Sequence, residues 1–209
     1  LILAIARNTA TEASLERLAG EAEIQEGGIT AKTVRKYLDQ LTRIFVLDEL
    51  AAWRPHIRSS IRTRVKPKWH FTDPSIATAA LRVTPSALLD DLETMGFFFE
   101  SLCIRDLRAY ADTADAKVFH YRDSDSLEID AIIERFDGAW AAVEVKLGGE
   151  EAIEAAVKCF ARLKKRLTPK KLSALTSLNV VTAGRESYTR RDGVNVIALG
   201  HLYSGAVAS

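Results

Sequence analysis

Residues 127–149 read LEIDAIIERFDGAWAAVEVKLGG, and the fold turns on how this stretch pairs with itself. Leu127, Ile129, Ala131 and Ile133 alternate with Glu128, Asp130 and Glu134, the period of two that marks a strand. Trp140 to Leu147 reads as a second strand, which Gly148-Gly149 ends. Asp137-Gly138 between the two is a strong hairpin signal. A two-residue loop, Asp137-Gly138, would set Asp130 against Val145 and oppose a polar face to an apolar one. A three-residue loop, Phe136-Asp137-Gly138, pairs Arg135 with Ala139, and so Asp130 with Glu144 and Glu128 with Lys146. Burial favours this second register, and Gly138 supplies the positive φ that such a loop needs. Directly opposed acids repel unless a cation lies between them. That cation is a divalent metal ion or Lys146, which shares a face with Glu144 two residues along the strand.

Working outward, Pro85 and Ser86 open a long helix over about 86–111, with Leu88, Leu92, Met95, Phe99 and Leu102 on its apolar side. Lys117 to Tyr121 is a strand, residues 150–166 a helix, and 178–182 and 194–199 short apolar strands. From residue 86 the order is therefore α-β-β-β-α-β-β. Upstream, Leu15, Leu18, Ala19 and Ala22 recur at helical spacing, and Thr30 is a good N-cap for a helix from Ala31 to about Phe45. Val46–Trp53 and Pro67–Thr72 read as strands, and Asp73-Pro74 opens a helical connection over 75–82. Helix, helix, basic helix and hairpin is the order of a winged helix. The expected class is α/β (α+β), with a winged-helix domain at 1–82 and a second domain at 83–209.

The chain has 209 residues, 47% hydrophobic and 27% charged, which excludes a disordered or low-complexity chain. Its net charge of +1 hides an asymmetry. Residues 1–82 carry 13 Lys and Arg against 9 Asp and Glu, a net +4, and residues 83–209 carry 16 against 19, a net −3. Cys103 and Cys159 each sit in an apolar run, which suits buried thiols in a reducing cytoplasm better than a disulfide framework. No run is long enough for a membrane span, and the opening apolar run is too short for a signal peptide. A cytoplasmic protein without a membrane partner is expected. The chain opens on Leu1 and its single methionine is Met95, so further sequence is expected upstream.

Two carboxylates and a lysine on one strand face suit metal-dependent phosphodiester hydrolysis. Asp130 and Glu144 would hold magnesium, or manganese in its place, through oxygen, with the Val145 carbonyl as a further ligand. Lys146 would orient the attacking water and neutralise developing charge. Glu100, a carboxylate beside Phe97, Phe98 and Phe99, would assist from the long helix. A second acid-x-Lys triplet, Asp115-Ala116-Lys117, reads as part of a polar connection with no partner strand. For nucleic-acid contact the candidates are Lys32, Arg35 and Lys36 on the basic helix, and Arg58, Arg62 and Arg64 in the acid-free stretch from Trp53 to Trp69, which also holds Lys68. A second cationic cluster runs from Lys158 to Lys171, where Lys158 could point toward the site and the remainder suits a solvated helix end. The four histidines have no metal-ligand spacing.

Asp130 with Glu144-Val145-Lys146, and Glu100 on the preceding helix, resembles the PD-(D/E)XK nuclease superfamily with its restriction-endonuclease-like fold. The order of landmarks resembles the C-terminal region of predicted bacterial and archaeal AAA+-type ATPases. Those landmarks are Thr33-Val34-Arg35-Lys36-Tyr37-Leu38, Phe71-Thr72-Asp73-Pro74, Phe99-Glu100, Glu128-Ile129-Asp130, Val143-Glu144-Val145-Lys146-Leu147-Gly148 and Asp192-Gly193-Val194-Asn195-Val196-Ile197. Ile129 stands where the superfamily name has proline, and the chain has no Gly-x4-Gly-Lys-Ser/Thr loop. The resemblance implies a winged helix followed by an α-β-β-β-α-β nuclease-like domain with a mixed sheet. It also implies an ATP-binding AAA+-type domain upstream, DNA as a partner, and assembly into an oligomer. The alternative is a catalytically inactive module of the ATPase that binds nucleic acid or protein.

Overall fold

The computed structural model describes residues 1–22, 28–55 and 66–202. The chain is a mixed α/β protein that divides into two compact units. The described parts of 1–51 and 66–105 form the first, and those of 52–65 and 106–209 form the second. The division falls inside a long helix, so residues 83–105, on the far side of the expected 82/83 boundary, cluster with the first unit.

In the first unit, helices α1 (Ile2–Arg7), α2 (Leu15–Ala22) and α3 (Ala31–Arg43) precede strands β1 (Leu47–Leu50) and β2 (Lys68–Phe71), in the order expected of a winged helix. Thr30 caps α3, its side-chain oxygen accepting from the Thr33 N–H at 3.2 Å. Val34 and Leu38 are the buried stripe of α3. The helix stops two residues before the expected end, where Phe45 takes a φ of +57°. β1 and β2 pair antiparallel, Leu47 opposite Phe71. Trp69 and Phe71 join Ile5, Leu18, Val34, Leu38, Leu47, Ala77 and Phe98 in one core. Helix α4 (Pro74–Leu81) starts on Asp73, whose carboxylate accepts from the Ser75 N–H at 2.8 Å, and this holds the carboxyl below its ordinary value.

The single helix expected over 86–111 is two, α5 (Pro85–Asp90) and α6 (Leu92–Thr113). The break is at Asp91, which leaves helical geometry (φ −127°, ψ 80°) and uses its carboxylate to accept from the Thr94 N–H at 3.0 Å. A short acid that can cap a new helix wins over continued apolar periodicity.

The second unit is a six-stranded mixed sheet. Strands β3 (Ala116–Arg122), β4 (Glu128–Arg135) and β5 (Trp140–Lys146) form an antiparallel meander. Helix α7 (Glu150–Arg166) and the short α8 (Pro169–Leu172) then lead to β6 (Leu175–Thr182), parallel to β5. β7 (Tyr188–Thr189) and β8 (Asn195–Ala198) complete the order β3-β4-β5-β6-β8-β7. α7 buries Ile153, Ala156, Phe160 and Leu163 in a core with Ile132, Trp140, Ala142, Val180 and Val196. Trp53 belongs to this core too, with ring centroids 4.8 Å from Trp140 and its indole N–H donating to Glu134.

The β4–β5 register is the three-residue one. Ala131 lies opposite Val143 and Glu134 opposite Trp140, and the Arg135 N–H donates to the Ala139 carbonyl at 2.8 Å. Gly138 has a φ of +88° and an added Cβ there would meet nothing within 4 Å, so only the backbone demands glycine. Gly138→Ala is expected to cost about 1–2 kcal/mol from left-handed backbone strain. Gly96, inside α6 with equally open space, behaves oppositely: Gly96→Ala is expected to stabilise by roughly 0.5–1 kcal/mol. Urea denaturation of the two variants reads both signs.

Candidate active site

β4 and β5 bring three of the expected residues together. The matched register, continued one step beyond Ala131 and Val143, places Asp130 opposite Glu144. Both carboxylates are buried. The Lys146 ammonium lies 2.6 Å from Glu144 Oε2 and 3.4 Å from Asp130 Oδ2. Asp130 Oδ2 also accepts from the Val145 N–H at 2.8 Å, which ties the β4 carboxylate to the β5 backbone. Lys146 is the last residue of β5, and Gly148 (φ +142°) and Gly149 (φ +89°) then turn the chain into α7.

Burial alone would push the Lys146 ammonium below its ordinary value, but Asp130 and Glu144 outweigh it and hold the group above that value. Lys146 therefore stays protonated at neutral pH. Two adjacent carboxylates are oxygen-only donors, which fit a hard cation such as magnesium, commonly held by one or two carboxylates plus waters and substrate phosphate. Among the described residues no group of three or more His, Cys, Asp and Glu side chains could hold an ion, so such an ion would rest on Asp130 and Glu144.

Sequence reading missed two neighbours of this trio. Thr182, buried at the end of β6, is the register partner of Lys146. Cys159 on α7 has its thiol pushed up by burial first and by the Glu144 charge next, so it feels the field of the site. No cysteine spacing pointed to it. The β5–β6 pairing that selects Thr182 is parallel and long-range, and leaves no local signal.

Glu100 falls in the first unit, where its carboxylate accepts from Lys68 at 2.8 Å. Lys68, counted with the basic stretch, is not a solvated wing residue but is buried. Every residue of β2 is buried, so its lysine needs a carboxylate partner. On the same strand His70 Nδ1 lies 2.9 Å from Ser101 Oγ. Lys32 and Lys36 are exposed on α3. Arg35 is held between Asp39 at 2.9 Å and Glu49 at 3.6 Å, with its guanidinium 5.9 Å from the Trp69 ring centroid. Arg58, Arg62 and Arg64 lie outside the described residues. Ala116-Lys117 is not in an unpaired connection, because it opens β3 with Lys117 opposite Glu134. Glu128 reaches Arg122 at 4.0 Å, while Lys146 turns to the two buried acids. In the second cationic cluster Arg166 pairs with Asp123 and Asp125, and Lys171 with Glu134.

Lys146→Met leaves Asp130 and Glu144 buried without the ammonium between them. Breaking a buried pair from one side costs about 3–5 kcal/mol, so this loss of stability is expected at pH 7. The wild-type contribution of Lys146 depends on pH because its value is raised. It is full below the ordinary lysine value of 10.5 and is lost as pH rises beyond that. Urea titrations of both proteins at pH 7 and 11 check the loss and its pH dependence.

Comparison with curated proteins and with solved structures finds no significant match. Two family models match. The domain of unknown function DUF8612 covers residues 1–87. The domain of unknown function DUF4143 covers residues 95–202, just over half the chain and all three residues of the trio. The chain belongs to the DUF4143 family.

Proposed function

We propose that the second unit is a nuclease-like domain of the PD-(D/E)XK type, that it cleaves phosphodiester bonds of DNA with magnesium, and that the chain works as part of an AAA+-type ATPase. The observation that carries the reading is the meeting of Asp130, Glu144 and Lys146 on one buried strand pair. The ATPase setting draws support from the DUF4143 match, since such domains are often found in ATPase-associated proteins.

Asp130 and Glu144 would hold the divalent ion. When bound, it would polarise the phosphate and offset its charge. Asp130 is fixed for this by the Val145 N–H, which leaves its carboxylate little freedom to turn. Lys146 keeps its proton on Nζ, so it acts as a positive donor toward the phosphate and the incoming water, and not as a base. The water's proton therefore goes to solvent or to the substrate. In the first unit, Lys32 and Lys36 would contact phosphate without reading sequence. Arg35, already bridging two acids, contributes less.

A second reading, an inactive binding module, is favoured by one feature: the Lys146 ammonium already contacts both carboxylates and so competes with an ion for them. Cleavage of linear and supercoiled DNA with magnesium or manganese separates the two. The nuclease reading expects cleavage by wild type that falls about 10²–10³-fold in Lys146→Ala and is lost in Asp130→Ala. Activity unchanged in Asp130→Ala would sink it. Salt-dependent DNA binding without cleavage, its salt slope reduced by about one in Lys32→Ala, would leave the binding module.

A further inference from the structure

Two surfaces of the first unit are opposite in charge and alike in apolar character. On α3, a groove of about 410 Å³ is lined by Leu1, Ile2, Tyr37, Gln40, Leu41 and Ile44. At its lower end Ile44 is 66% exposed and Phe45 82%. Lys36, Gln40 and Arg43 run beside it at helical steps of four and three, and both cations are exposed. The second surface is α5 with the first turn of α6. It leaves Leu89 65% and Leu92 59% exposed, flanked by the exposed acids Asp90, Asp91 and Glu93. No lysine or arginine occurs from Val83 to Ile104.

Phe45 sharpens the case. The Phe45 N–H donates to the Thr42 carbonyl and the Val46 N–H to the Leu41 carbonyl, the two hydrogen bonds of a Schellman turn. The residue at this position has a φ of +57° and is usually glycine. Here a bulky aromatic takes the strained backbone and leaves its ring exposed, the kind of apolar surface that marks a contact site.

We infer that these surfaces pair between two copies of the chain, the basic-edged groove of α3 in one copy receiving the acidic Leu89–Glu93 edge of the other. Each copy carries both halves, so a two-fold arrangement forms the contact twice. The Lys36 and Arg43 charges then face Asp90 and Glu93, while Leu89 and Leu92 cover Tyr37, Ile44 and Phe45.

Sedimentation velocity of the full chain across the micromolar range tests this. Lys36 borders the proposed DNA face as well, so nucleic acid is left out. Wild type is expected to form a concentration-dependent dimer that weakens with salt. Lys36→Glu/Arg43→Glu and Asp90→Lys/Glu93→Lys each set like charges together and are expected to dimerise at least tenfold more weakly. Asp91 is spared because it caps α6. Mixed in equal amounts, the two variants are expected to associate again. Phe45→Gly separates docking from folding: it is expected to keep or raise the melting temperature while weakening the dimer. Wild type that stays monomeric throughout overturns the pairing and points to an acidic helix of another protein. So does a charge variant that dimerises as wild type does, or a folded mixture that fails to associate.

Discussion

The second unit depends on one ammonium group between two buried carboxylates. Asp130 and Glu144 are placed on neighbouring strands by a register that also buries Ile132, Trp140 and Ala142. A slip of one residue would turn that apolar set to the wrong face. The core thus enforces the register, and the register enforces the meeting of two acids. Like charges cannot share such a place without a cation, and Lys146 supplies it from two residues along the same strand. Sheet packing and site chemistry are therefore one constraint, since the hairpin cannot keep its core and separate its acids.

Much of this was legible because its signals are local. Asp137-Gly138, the alternation on both sides of it and the face shared by Glu144 and Lys146 are short-range features, and the loop length followed from burial. Thr30 and Asp73 were readable as helix starts for the same reason, as each caps the backbone within three residues. What escaped depends on contacts distant in sequence or on competition between local signals. Lys68 looks like one more cation in a basic run, and nothing local says that β2 is covered on both faces. Trp53 looks like a strand end near a basic loop, yet it packs against Trp140, 87 positions further along the sequence. Asp91 breaks a helix whose apolar period continues through it, because a cap was worth more there than one more turn. β7, with two residues, is too short for any period.

Two lysines answer buried acids in different ways. Lys68, itself buried on β2, donates to Glu100, so a strand covered on both faces does not carry a bare charge. Lys146, half-buried at the end of β5, contacts two carboxylates at once. In the proposed function the lysine that stabilises the fold without an ion would have to give up part of its hold on Glu144 when one binds. Stability of the ion-free chain and affinity for the ion then oppose each other through the same ammonium group, the kind of trade expected where a site is built from groups that the fold also needs.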